Sequence, residues 1–159
     1  MSGSLKDLLA HQAWADAKFF SAWQRSGLLQ DEELRIRADH QVTVLEAFLQ
    51  LLKGGDMALP ERPTADCLEL RARCEAAHEV YLALGHSLDK ATLERTLRVP
   101  WFPDPPCVLS VSDILMQVCM HSQHHRGQNM ARLRALGGQV INVDYIIWLW
   151  KQKPAARWS

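Results

Sequence analysis

Three of the seven histidines of this 159-residue chain fall within five residues, in Met120-His121-Ser122-Gln123-His124-His125-Arg126-Gly127-Gln128. If the segment is helical, His121 and His125 stand one turn apart on one face. Two imidazoles so spaced are a common way to present nitrogen ligands to one metal ion. No acidic partner such as the Glu of H-E-x-x-H accompanies the pair, so spacing alone leaves metal binding and surface decoration both open.

The elements that must position these residues are helical by their periodicity. Leu5, Leu8, Leu9, Phe19, Phe20 and Trp23 mark a first helix, with Ser4 and Asp7 spaced as an acidic capping pair. A second runs from about Asp31 to Lys53 and ends at Gly54-Gly55; Ile36, Val44, Ala47, Phe48 and Leu51 share its apolar face. The loop from Leu59 to Pro63 leads to Thr64 as N-cap of a third helix that ends near Leu84, before Gly85. Prolines at 100, 103, 105 and 106 make the stretch from Val99 to Val108 an extended, irregular connection. A fourth helix opens on the pair Ser110 and Asp113 and continues to Gly137-Gly138, and a short one follows from Val143 to Lys151. Four long helices with one long crossover predict an all-α four-helix bundle, residues 1–159 forming a single domain.

Bundles build their sites from side chains on facing helices, so the direction of each histidine matters. At about 100° per residue, His125 lies near the apolar direction set by Leu115, Val118, Cys119, Met130, Leu133 and Leu136. His121 lies at its margin and His124 nearly opposite. On the second helix His40 shares the stripe of Ile36, Val44 and Phe48, and points inward. An inward histidine on each of two helices requires hydrogen bonds or a shared ion, because a buried imidazole without a partner costs free energy. Gln12 and Asp16 fall on the apolar stripe of the first helix, and Ser122, Arg126 and Asn129 on that of the fourth. Asp16 and Arg126 are therefore expected to pair.

Composition excludes several classes. Eighteen basic and eighteen acidic side chains give a formal net charge of zero, which speaks against nucleic acid or an anionic membrane as partner. No segment approaches the roughly 18 apolar residues of a membrane span, and the N-terminus lacks a basic and then apolar leader. The four cysteines form no C-x-x-C pair, so free thiols and a cytoplasmic location are expected.

The segment DILMQVCMHSQHHRGQ, residues 113–128, is similar to the helix-four signature of the DinB and YfiT-like family, in which a histidine, three residues and then H-R-G-Q recur. The N-terminal HQAWADAKFF resembles the family's first helix, and DYIIWLW its C-terminal segment. His40 stands where the family carries a helix-two histidine. The resemblance implies an up-down-down-up four-helix bundle that binds one divalent metal ion, zinc, nickel or iron, through His40, His121 and His125. His124 falls at a position the family pattern leaves variable. The family includes thiol-dependent S-transferases and a mycothiol-dependent maleylpyruvate isomerase. The resemblance therefore implies a metal-dependent enzyme that uses a low-molecular-weight thiol, or hydrolyses, with a small molecule as substrate. The alternative is a non-catalytic, stress-associated bundle acting through a homodimer or a protein partner. The apolar run from Tyr145 to Trp150 motivates that alternative, since it must be covered by the bundle or by a second subunit. Trp101 to Asp104, just before the fourth helix, is expected to form a turn that could cover the metal.

Overall fold

The computed structural model describes residues 2–57, 59 and 64–159. Its element order is α1 (Ser2–Ser26), α2 (Glu32–Leu52), α3 (Cys67–His86), α4 (Lys90–Glu94), β1 (Thr96–Val99), β2 (Cys107–Ser110), α5 (Val111–Ala135) and α6 (Tyr145–Trp150). The four long helices make the bundle. α1 and α2 each pack against both α3 and α5, which places α1 and α2 on one diagonal and α3 and α5 on the other. No helix among the described residues is long and apolar enough to cross a membrane.

Helices α2 to α5 each begin where a short polar side chain takes over an orphan amide. Asp31 accepts from the Leu34 amide at 2.9 Å, Asp66 from Glu69 at 2.9 Å and Asp89 from Thr92 at 2.7 Å. Ser110 and Asp113 form the expected capping box at the head of α5. At the far ends, Gly54 and Gly137 take positive φ just after α2 and α5, a conformation that costs glycine little.

Four details depart from the sequence reading. α1 starts at Ser2, so Ser4 lies inside the helix, and Asp7 accepts instead from Lys153 Nζ at 2.7 Å. The N-cap of α3 is Asp66 and not Thr64, whose carbonyl accepts from Arg35 Nη2 at 2.9 Å; that helix also continues through Gly85. The proline-rich stretch of residues 100–106 is irregular as expected, but it closes an antiparallel hairpin that was not, with Leu97 opposite Leu109 and Val99 opposite Cys107. All four prolines fall between its strands, so none removes a donor from the ladder. Finally, of the expected apolar face of α2, Val44, Ala47, Phe48 and Leu51 are buried, together with Leu34, Ala38, Gln41, Val42 and Leu45, but Ile36 is 50% exposed and the first turns of the stripe, from Ile36 to His40, border solvent. Residues 60–63 of the expected loop lie outside the described residues.

The core is continuous through Trp14, Phe19, Phe20, Trp23, Leu34, Leu45, Leu70, Ile114, Leu115 and Leu133. Trp148 of α6 is buried in it, and Trp158 of the C-terminal segment packs onto it. Ile146 and Trp150 stay 70% and 73% exposed, so α6 is covered on one side only.

Candidate metal centre

α2 and α5 run side by side, and the groove between them gathers the three histidines. His121 and His125 occupy successive turns of α5, with ring centroids 4.4 Å apart, and His40 of α2 stands opposite, 5.2 Å from His121 and 4.8 Å from His125. One nitrogen from each ring can be chosen so that all three lie within 4.8 Å of one another. The Nε2 atoms of His121 and His125 are 3.2 Å apart. Two nitrogens bound to zinc at about 2.0–2.1 Å in tetrahedral array sit about 3.3 Å apart, so the pair fits a shared ion. His40 is exposed and the other two half-buried, which puts the cluster at the rim of the bundle and not, as the helical angles predict, in its interior.

Neighbouring groups set the orientation and protonation of the imidazoles. Gln128 Oε1 accepts from His125 Nδ1 at 2.9 Å, which leaves the Nε2 lone pair of His125 directed at the groove. Burial lowers the His121 pKa to about 4, and the neighbouring His125, His40 and His124 add to the effect. His125 is lowered too, by burial first and then by His40, against the raising effect of Gln128. Both are therefore neutral near pH 7, the form that binds metal. His124 is exposed but not remote: its ring lies 5.0 Å from His125, edge on.

Beneath the groove lies a buried polar network. Asp16 of α1 is fully buried and accepts from Arg126 Nη1 at 2.7 Å and Gln41 Nε2 at 3.0 Å on Oδ1, and from His78 Nε2 at 2.8 Å on Oδ2. Arg126 also donates to Gln12 at 2.8 Å; Gln12 in turn meets His11, whose Nε2 donates to the Val143 carbonyl at 2.7 Å. The expected Asp16–Arg126 pair is thus present, with more partners than sequence reasoning assigned. Burial pushes the Asp16 carboxyl up, but Arg126 and His78 outweigh it and hold it below its ordinary value. Asp16, Cys74 and His78 also form a group of metal-ligand types. The guanidinium already seated on Asp16, together with complete burial, disfavours a second cation there.

Gln41, His78 and Gln128 were not assigned roles from sequence. Gln41 and His78 carried a usable signal, since Gln41 is spaced three and four residues from buried Ala38 and Leu45, and His78 four and three from Cys74 and Tyr81. The Trp101 turn serves packing: Trp101 meets Phe48 edge to face with centroids 5.6 Å apart, about two helical turns beyond His40 on α2, and donates to the Met57 carbonyl at 3.2 Å. Glu46 is held by Arg73, which also meets Asp39. All four cysteines are free thiols.

No curated protein and no solved structure matches this chain. The sequence model described as DinB family, however, matches residues 1–156. With a helical bundle, a candidate three-histidine site and a match over nearly its whole length, the chain belongs to the DinB family.

Proposed function

We propose that this protein binds one divalent metal ion through His40, His121 and His125 and is an enzyme acting on a small molecule. The reaction is either transfer of a low-molecular-weight thiol to an electrophile or hydrolysis. The observation that carries this reading is the convergence of three imidazoles from two helices beside solvent, with no Cys, Asp or Glu joining them among the described residues. Three neutral nitrogen ligands leave a coordination position open, the arrangement of reactive rather than structural sites. A divalent ion bound there supplies Lewis acidity and favours the thiolate form of a thiol. Imidazole ligation suits zinc, nickel and iron.

The chain's own residues supply the rest. Gln128 orients His125, and the lowered pKa values of His121 and His125 keep both ligands free of protons at neutral pH. The exposed edge at His40 gives a substrate its approach. His124, exposed beside His125, is placed to take up or deliver a proton, whereas Asp16 and Glu46 are committed to arginines. Burial pushes the Cys67 and Cys119 thiols up to about 12 and raises Cys74 as well, so these three are poor nucleophiles. A thiol used by this site is therefore none of these three.

Elemental analysis of the purified protein, followed by conjugation of low-molecular-weight thiols to monobromobimane with and without chelator, tests the proposal. One ion per chain, lost in His121→Ala at unchanged helical content, and chelator-sensitive conjugation are expected. Full metal retention in the His40, His121 and His125 triple alanine variant would overturn it. A second reading, a metal-binding bundle that acts by dimerisation or through a protein partner, is favoured by the exposed Ile146, Leu149 and Trp150. A dimer mass in size exclusion that reverts to monomer in Trp150→Glu, with no turnover of any electrophile, would favour it.

A further inference from the structure

Two of the three groove histidines are followed in sequence by a buried residue that reaches one and the same atom. His40 precedes Gln41 and His125 precedes Arg126, and both neighbours donate to Asp16 Oδ1, at 3.0 Å and 2.7 Å. Consecutive helical residues point about 100° apart, so on each helix one side chain turns to the groove and the next to the core. The other carboxylate oxygen accepts from His78 of α3 at 2.8 Å. A single side chain on α1 thus ties α2, α3 and α5 together. Asp16, Gln41, His78 and Arg126 are each no more than 2% exposed.

The separation of His40 from His121 and His125 depends on how α2 is offset against α5 along and around their axes. Apolar ridges tolerate a spread of offsets, with scatter of about 15–20° in crossing angle. Hydrogen bonds to a buried carboxylate are directional, and leaving one unmade is expensive. Such an ion pair is a weak source of net stability compared with apolar packing, so its presence in this core points to register. We propose that Asp16 is a positioning residue for the metal centre, setting the α2 to α5 offset that keeps His40 opposite His121 and His125. The inference rests on the three-histidine reading above.

The experiment uses the full chain and Co2+, whose visible spectrum reports ligand geometry. Wild type, Asp16→Asn, His121→Ala and the core variant Leu70→Ala are compared for Co2+ affinity, Co2+ spectrum and, without metal, for proton NMR contacts between the His40 and His125 rings. Asp16→Asn is expected to lose about tenfold in affinity, with an altered spectrum and weakened ring contacts. Leu70→Ala, whose side chain is fully buried on α3, is expected to lose stability while affinity and spectrum stay those of wild type. Wild-type affinity, spectrum and ring contacts in Asp16→Asn would overturn the positioning role and leave the metal site standing. If wild type binds no Co2+, or His121→Ala binds it equally well, the metal reading fails instead, and the ring contacts decide the positioning role by themselves. Should Asp16→Asn not fold, Gln41→Leu severs only the α2 link and is judged by the same three readouts.

Discussion

Arg126 Nη1 and Asp16 Oδ1 meet at 2.7 Å across the α5–α1 interface, with both side chains almost wholly removed from water. In such a place the pair and its isolated members differ greatly in free energy. A buried charge with no partner costs several kcal/mol, whereas replacing both partners by apolar groups of similar volume is often neutral.

Arg126→Met is accordingly predicted to destabilise the fold by about 3–5 kcal/mol, because it removes the guanidinium that balances the buried Asp16 carboxylate. The double variant Asp16→Leu, Arg126→Met is predicted to recover only part of that loss, since the buried Gln41 and His78 lose their acceptor with Asp16. Urea midpoints of the two single variants and the double variant form the cycle that measures it. Additive losses would contradict the pairing.

The same carboxylate sets an acid limit. The folded-state pKa of Asp16 is lowered, so the protonated form is held less well in the folded chain than in the unfolded one. Its stabilising contribution is complete above the unfolded value of about 3.9 and is lost as the pH falls through the folded value. Thermal midpoints measured downward from pH 5 should drop steeply below about pH 4 in wild type and less so in Asp16→Asn.

Glycine positions near the end of α5 separate two kinds of constraint. A Cβ at Gly127, inside the helix, meets nothing within 4 Å, so Gly127→Ala is predicted to stabilise by about 0.5–1 kcal/mol through a less flexible unfolded chain. A Cβ at Gly138 falls 2.6 Å from Leu133 Cδ1 and 2.9 Å from the Leu133 carbonyl oxygen. Gly138→Ala must therefore push backbone aside and is predicted to lower the melting temperature. Equal shifts in the two variants would show that contact at these positions does not matter.

The long helices were legible because their apolar spacing repeats over five to seven turns, and capping residues such as Asp31 and Ser110 mark their starts. The β1–β2 hairpin was hidden by prolines that lie between its strands, since four-residue strands carry too little periodicity to outvote them. The histidine trio was legible from spacing and family likeness together; its place at the rim was not. Ile36 and His40 do share a stripe, but burial on α2 is decided by where α3 and α5 sit against it, and no single-helix pattern contains that information. Gln41 and His78 were legible as inward positions, but their reach to Asp16 was not, since which inward polar groups meet depends on how α1, α2 and α3 sit against one another.

Acid should also govern the groove. The folded-state pKa of His121 is lowered to about 4, chiefly by burial and then by its histidine neighbours, so the folded chain resists protonation there. The sign follows from linkage. Above the unfolded value of about 6.5 no penalty exists, and as the pH falls below it the unfolded state gains protons that the folded state refuses until about pH 4. Metal competes with protons for the same nitrogen, so a ligand that stays unprotonated to lower pH should hold its ion to lower pH. Zinc retention in equilibrium dialysis is therefore predicted to survive at pH 6 and to be lost toward pH 4. Removing the acceptor that orients His125, in Gln128→Ala, is predicted to weaken zinc by about tenfold at pH 7 and to shift the loss to higher pH. Half-loss of zinc near pH 6.5 in wild type, or unchanged retention in Gln128→Ala, would contradict the link between burial, orientation and binding.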